Sequence, residues 1–233
     1  GTLAAVNAAL AAVAFTPATN NDVNTTITTH IEDAAGAGPA DGSIALNVTP
    51  VNDAPTATNL TDTVTYTEGD GSAALTDIVV SDVDTGETIT ATLTLANTAT
   101  GSLTAGSGNG ETYTAGTGVW TITGTLTAVN AALAAVAFAP ATQNDVDTTI
   151  TTHIEDAAGA GPADGTIMLD VTPVNDPPTA TNLTTTSPYT EGDASVAIDD
   201  IVVTDPDTGD TITATPPTAT PAPGPLTARS GTG

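Results

Sequence analysis

The chain has 233 residues, 27 acidic side chains, one arginine (Arg229), no lysine and no cysteine, giving a formal net charge of −26. Without clustered lysine and arginine it has nothing to neutralise nucleic-acid phosphates or an anionic membrane surface. Without cysteine it forms no disulfide, thiolate zinc site or cysteine nucleophile. No apolar run approaches the roughly 18 residues that span a bilayer.

Threonine is the commonest feature, at 52 residues, and aromatics make up only 3%. Branched Thr and Val side chains suit a pleated surface, so the composition favours strands. A core of Ala, Val and Thr buries less apolar area per residue than one of Leu and Phe, and bound metal would compensate. The acid excess points to the same conclusion, because carboxylates are hard oxygen ligands suited to calcium.

The sequence repeats itself with an offset of 123 residues. GTLAAVNAALAAVAF begins at Gly1 and GTLTAVNAALAAVAF at Gly124; TPVNDAPTATNL at Thr49 returns as TPVNDPPTATNL at Thr172; YTEGD occurs at Tyr66 and Tyr189. Residues 1–50 and 124–173 differ at seven positions. Only Glu111–Thr123 occurs once. With boundaries at the Pro-punctuated VNDAP and VNDPP, three parts are expected: a trailing part (1–52), one complete domain (53–175) and a leading part (176–233). Beginning and ending mid-repeat, and lacking an initiator Met, the sequence reads as a piece of a longer array or a processed product.

In the complete domain the expected strands are Val64–Thr67, Leu75–Ser81 and Thr88–Leu95. The glycine-rich 101–118 follows, with Asn109-Gly110 expected as a hairpin turn because both residues tolerate positive φ. Val119–Thr123 is the next strand. Thr125–Val136 then switches period: Leu126, Val129, Leu133 and Val136 share one face of a short helix, with Thr125 as N-cap. Val146–Ile154 alternates cleanly, placing Val146, Thr148, Ile150, Thr152 and Ile154 on one face and Thr149, Thr151, His153 and Glu155 on the other. Thr166–Val171 is the last strand. About seven strands with turn signals, plus one helical crossover, predict an all-β chain of tandem Greek-key sandwiches with one short α-helix per repeat. In the next copy, residues 216–225 (PPTATPAPGP) replace LTLANTATGS, and five prolines there suit an edge strand or loop.

The acids cluster at turns. Asp82-Val83-Asp84 and Asp205-Pro206-Asp207 follow apolar strands, Glu68 and Glu191 sit in YTEGD, and Asn52-Asp53 and Asn175-Asp176 mark the junctions. An Asp-x-Asp turn aims two carboxylates at one point, and junction carbonyls and amides can complete a calcium shell. The EF-hand pattern does not fit, since Gly86 already stands at the fifth position. The bland account is that Asp and Gly simply make good turns.

VTPVNDAPT, with SDVDTGETITATL downstream such that Asp82 lies 29 residues after Asp53, resembles the bacterial cadherin-like tandem repeats of giant surface adhesins. TLTAVNAALAAVAF is similar to the helix-then-strand element of such repeats. The resemblance spans the whole chain and implies Ig/cadherin-like β-sandwiches in long extracellular or cell-surface arrays. It also implies calcium at the joints. Carried over, the later junction would use Glu68, Asn175, Asp176, Asp205 and Asp207, and the earlier one Asn52, Asp53, Asp82 and Asp84. Asp156 in HIEDAAG would be the mid-domain acid. The linker lacks the cadherin DxNDN density, and no DRE triplet is present.

Other features read plainly. His30 and His153 are expected as solvated strand residues, since no second His or Cys stands by to share a metal. Trp120, the single tryptophan, is expected in the core. Gly101–Gly118 lacks the lysine and the strand-loop-helix setting of a phosphate loop. No nucleophile, base and orienting group can be nominated together, so an enzyme is not expected. Two functions remain: a calcium-stiffened structural region of an adhesin or matrix protein, or a subunit of an extracellular filament or surface layer. In both, the partners are neighbouring repeats of the same or an identical chain, head to tail, with no nucleic acid and no membrane insertion.

Overall fold

The computed structural model describes residues 1–84, 86–207 and 209–215. It divides into two compact units, residues 1–172 and 173–233. Residues 1–52 belong to the first unit together with most of the complete repeat. The proline-rich 216–225 lies outside the described residues.

The first unit opens with helix α1 (Leu3–Ala11) and the strands β1 (Thr25–Thr29) and β2 (Gly42–Leu46). The complete repeat follows as β3 (Thr56–Thr58), β4 (Asp62–Thr67), β5 (Ala73–Ala74), β6 (Val79–Ser81), β7 (Thr88–Leu95), β8 (Gly101–Leu103), β9 (Thr112–Thr114) and β10 (Val119–Thr125). It continues with helix α2 (Leu126–Leu133), then β11 (Ala137–Pro140), β12 (Thr148–Glu155) and β13 (Gly165–Thr172). Among the described residues the fold is all-β apart from two short helices.

Two sheets make up most of the complete repeat. One has six strands in the order β4-β13-β12-β7-β10-β9, and the other three in the order β5-β11-β8; β3 and β6 form a separate pair. All pairings in the large sheet are antiparallel except β13 with β4. One core cluster draws on both sheets and on the helix: Ile89, Ala91 and Leu93 from β7, Trp120 and Ile122 from β10, Phe138 from β11, and Val129 and Leu133 from α2. On β7 the Thr/apolar alternation of the sequence becomes an alternation of half-buried or exposed threonines with fully buried apolar residues. Trp120 is wholly buried, as its core assignment expects.

The helix forms where the period changes. Thr125 adopts an extended backbone and its hydroxyl accepts the Ala128 N–H at 3.3 Å, an N-cap. The apolar stripe of α2 then turns inward, with Val129, Ala132 and Leu133 buried. The helix carries the chain from β10 in the large sheet to β11 in the small one.

Two local expectations are corrected. Leu75–Ser81 is not one strand: only Val79–Ser81 pairs, because Leu75 and Ile78 are both buried and their spacing of three is out of step with a pleat. Asn109-Gly110 does not turn a hairpin between its flanking strands, since β8 and β9 lie in different sheets. The hairpin is β9 with β10, closed at Gly118, whose N–H reaches the Thr114 carbonyl at 2.9 Å. Gly118 has φ +70°, and a Cβ there would stand 2.5 Å from the Leu95 carbonyl oxygen.

Residues 1–52 keep the helix and the strand pair of residues 124–175, with shorter strands and without a counterpart of β11. Thr2 caps α1 as Thr125 caps α2. Strands β1 and β2 pair in the register of β12 and β13, with Thr25 opposite Leu46 and Ile27 opposite Ile44. In the second unit, β14 (Thr179–Ala180) and β15 (Val203–Thr204) repeat the β3–β6 pair in the same register.

Candidate metal centre

At the earlier junction the local sequence sets the geometry. Asp82 and Asp84 lie in the turn after β6, where the Asp84 N–H donates to Asp82 Oδ1 at 2.9 Å and the Asp53 N–H donates to Asp84 Oδ2 at 2.6 Å. The VNDAP segment is thereby held against the DVD turn. Asn52 donates from Nδ2 to Asp156 Oδ2 at 2.8 Å. The structure thus brings Asn52, Asp53, Asp82, Asp84 and Asp156 to one end of the complete repeat.

Glu87 joins them. A cleft there is lined by Asp22, Pro50, Val51, Asn52, Asp84 and Glu87. Desolvation raises the Glu87 carboxyl above its ordinary range, and the charges of Asp84, Asp156 and Asp82 push it further the same way. The Asp156 carboxyl is held below the usual range by the hydrogen bond from Asn52 and by the N–H groups of Ala160 and Ala158. Among these acids, Asp82 Oδ2 and Glu87 Oε2 are buried without a hydrogen-bond partner. Buried carboxylate oxygens are costly unless paired, and no cationic side chain stands among these residues to pair them. The donor set is all oxygen, carboxylate with amide, which fits a hard divalent cation and not a soft one.

Asp156 stands at a different place from the one the resemblance implies. Carried over as the mid-domain acid, it would serve the same joint as Glu68 and share the end of the repeat that holds Glu68. The topology decides otherwise. Asp156 follows the last residue of β12, and the chain then returns along β13, which runs parallel to β4. Asp156 therefore sits where β4 begins, beside Asn52. Glu68 is at the other end, its N–H donating to the Thr172 carbonyl at 3.0 Å. The acid that stands before β12 at that end is Asp145: adjacent Asn144 donates to the Tyr66 hydroxyl at 2.6 Å, and Asp147 accepts the Val171 N–H at 2.9 Å. Its counterpart in the preceding copy, Asp22, lines the cleft with Asn52, Asp84 and Glu87.

The residues assigned to the later junction are divided between the two units. Glu68 belongs to the first. In the second, the Asp176 N–H donates to Asp207 Oδ2 at 2.7 Å and the Asp207 N–H to Asp205 Oδ1 at 3.0 Å, repeating the earlier junction. Asn175 is exposed. Carboxylate oxygens of Asp205, Asp207 and Asp210 all lie within 4.8 Å of one another, and Asp205 Oδ2 is buried without a partner.

The sequence reading passed over Glu87, Asp210 and Asp22. A signal for the first two was present: both copies carry an acid five residues after the first Asp of the DxD turn. Asp22 and Asp145 likewise keep their place in both copies. His30 and His153 are each held between two acids: His153 Nδ1 is 2.6 Å from Asp164 and Nε2 3.5 Å from Glu155. Among the described residues, no helix is long and apolar enough to cross a membrane. No family model matches the sequence, and comparison with curated proteins gives no match.

Proposed function

We propose that this chain is a structural repeat region of an extracellular bacterial adhesin or matrix protein, a cadherin-like spacer whose joints are stiffened by calcium. The observation that carries the reading is the pair of buried, unpartnered carboxylate oxygens on Asp82 and Glu87 inside the acid cluster at the Asn52–Asp53 joint. Calcium would neutralise the mutual repulsion of these groups and tie the linker to the DVD turn, with Asp22, Asp82, Asp84, Glu87 and Asp156 as the carboxylate donors. Extracellular calcium modules work at about 10⁻⁴–10⁻³ M, an affinity that a partly solvated cluster of this kind can supply.

Melting followed in excess chelator and in millimolar-range calcium tests the reading. Calcium should raise the midpoint by linkage to the folded state, and Glu87→Gln with Asp82→Asn should remove most of that rise. A melting midpoint and small-angle scattering profile indifferent to calcium would overturn it. A second reading, an extracellular filament or surface layer assembled head to tail, is favoured by the apolar faces that residues 1–52 and 176–212 leave exposed.

A further inference from the structure

Residues 1–52 present a preformed but uncovered face. Leu10, Phe15 and Ile44 are 53%, 48% and 52% exposed, while their 123-residue counterparts Leu133, Phe138 and Ile167 are 2%, 0% and 0% exposed. The second unit shows the complementary picture. Tyr189, Ile198, Ile201 and Val203 are 69%, 56%, 47% and 41% exposed, against 6%, 7%, 2% and 1% for Tyr66, Leu75, Ile78 and Val80. The complete repeat shows what covers each face, because there the two sets bury one another in a single core.

The fit is specific at one point. In the complete repeat Tyr66 packs edge-on against Phe138 at a ring-centroid distance of 5.5 Å, and its hydroxyl accepts from Asn144 Nδ2 at 2.6 Å. On the face of residues 1–52 the counterparts of those partners, Phe15 and Asn21, line an open apolar groove together with Val23, Leu46 and Val48. The groove thus repeats the two residues that hold Tyr66, and the counterpart of Tyr66 is Tyr189.

We infer that this groove is a docking site for residues 179–207 of a second copy of the chain, with Tyr189 seated between Phe15 and Asn21. The inference deepens the filament reading and is independent of calcium. Transposing the register of β13 on β4 sets 185–190 parallel to 44–49, with Ala45 opposite Thr186 and Val48 opposite Tyr189. Pro188 falls on an edge strand, where a missing N–H is tolerated. A second anchor comes from Asn130, which bonds both backbone groups of Val80; its counterpart Asn7 would clasp Val203. None of these contacts requires the Val119–Thr125 strand. The contact joins two different surfaces, so each copy has one surface to offer and one to fill, and assembly adds copies head to tail into a ring or an open filament.

The chain has no cysteine, which gives a silent background for cross-linking. The pair Ala45→Cys with Thr186→Cys transposes Met168 and Thr63, Cα partners whose side chains face solvent. The experiment uses the 233-residue chain in chelator, with about 0.5 M salt to screen repulsion between strongly acidic copies. Oxidation should give a reducible ladder of dimers and higher multimers. Adding Tyr189→Ala should weaken the ladder about tenfold, as expected for loss of a central aromatic anchor, while the melting of the complete repeat stays unchanged. A cross-link confined within single chains, or a ladder indifferent to Tyr189→Ala, overturns the inference. Multimers at high concentration without the cross-link would overturn this interface and leave the filament reading standing. A chain that stays monomeric throughout would remove both.

Discussion

Asn130 and Val80 are joined as two strands would be. Asn130 Oδ1 accepts the Val80 N–H at 2.8 Å and Asn130 Nδ2 donates to the Val80 carbonyl at 2.9 Å. A helix cannot extend a sheet, so a side-chain amide on α2 satisfies the backbone of β6. Val80 itself is 1% exposed, so its backbone groups have little access to water.

Asn130→Ala should therefore destabilise the complete repeat by about 2 kcal/mol or more, the cost of stranding a buried donor and a buried acceptor. Asn130→Asp should be worse, because it keeps one bond and turns a carboxylate toward the Val80 carbonyl. Urea unfolding read by Trp120 fluorescence measures both. Trp120 is the only tryptophan and is wholly buried in the complete repeat, so its signal reports that domain alone.

The second prediction concerns the joint. Asp156 accepts from Asn52 Nδ2 and from the N–H groups of Ala158 and Ala160. These bonds favour the charged form and lower its pKa, first through Asn52. A depressed folded pKa gives stability that is present above the unfolded value of 3.8 and lost as pH falls through the folded one. Asp156→Ala should lower the melting midpoint at neutral pH and flatten its acid limb. In calcium-free buffer it should also loosen residues 50–53, visible as faster amide exchange there. Exchange equal to the parent chain would show that Asn52 is held by other means.

Much of this was legible in the sequence, for a physical reason. Period-2 alternation on Thr88–Leu95 and Val146–Ile154 and the shift to a helical period at Leu126 are local signals, and they place β7, β12 and α2 within a few residues. The repeat also disclosed which residues correspond. Pairing between distant segments was not legible. Short strands such as Gly101–Leu103 and Thr112–Thr114 owe their existence to partners in β11 and β10 and carry little pattern of their own. The end of the sandwich on which Asp156 falls depends on the direction of β12, so spacing alone could not place it beside Asn52. Glu87 was visible as an acid, but its neighbours Asp84 and Asp156 meet it only in three dimensions.

A third prediction uses the histidines. His153 is raised above its ordinary value, chiefly by the hydrogen bond with Asp164, against some desolvation and with help from Glu155. A raised folded pKa gives stability that is fully present below the unfolded value of 6.5 and lost as pH rises through the folded value. The side chain is 44% exposed, so solvent screening keeps the effect small. Asp164→Asn should remove the part of the stability that fades between mildly acidic and alkaline pH. Chain and variant should then converge at high pH. Titration of the His153 ring protons by NMR checks the cause directly, since the variant should titrate at lower pH than the parent.

The last prediction concerns Glu111, the residue that organises the glycine-rich loop where a hairpin turn was expected. Its carboxylate accepts the Gly106 N–H at 2.8 Å, the Ser107 N–H, and the Ser107 hydroxyl at 2.8 Å. Asn109 adds its N–H at 3.2 Å. Burial alone would push the carboxyl up, but these bonds, led by Ser107, outweigh it and hold the group down to about 2. Gly106, Ser107 and Gly108 lie beyond the end of β8 and have no strand partner, so one carboxylate supplies the fixed contacts there. Because the folded pKa lies below the ordinary 4.5, the contribution is present above pH 4.5 and is lost as pH falls through about 2. Glu111→Gln keeps the shape and one acceptor but loses the charge, and the amide turns a donor toward N–H groups. The variant should show faster amide exchange at Gly106, Ser107 and Asn109 and a lower melting midpoint at neutral pH. The gap from the parent should close as pH approaches 2. A gap of constant size down to pH 2 would show that the charge of Glu111 does not hold the loop.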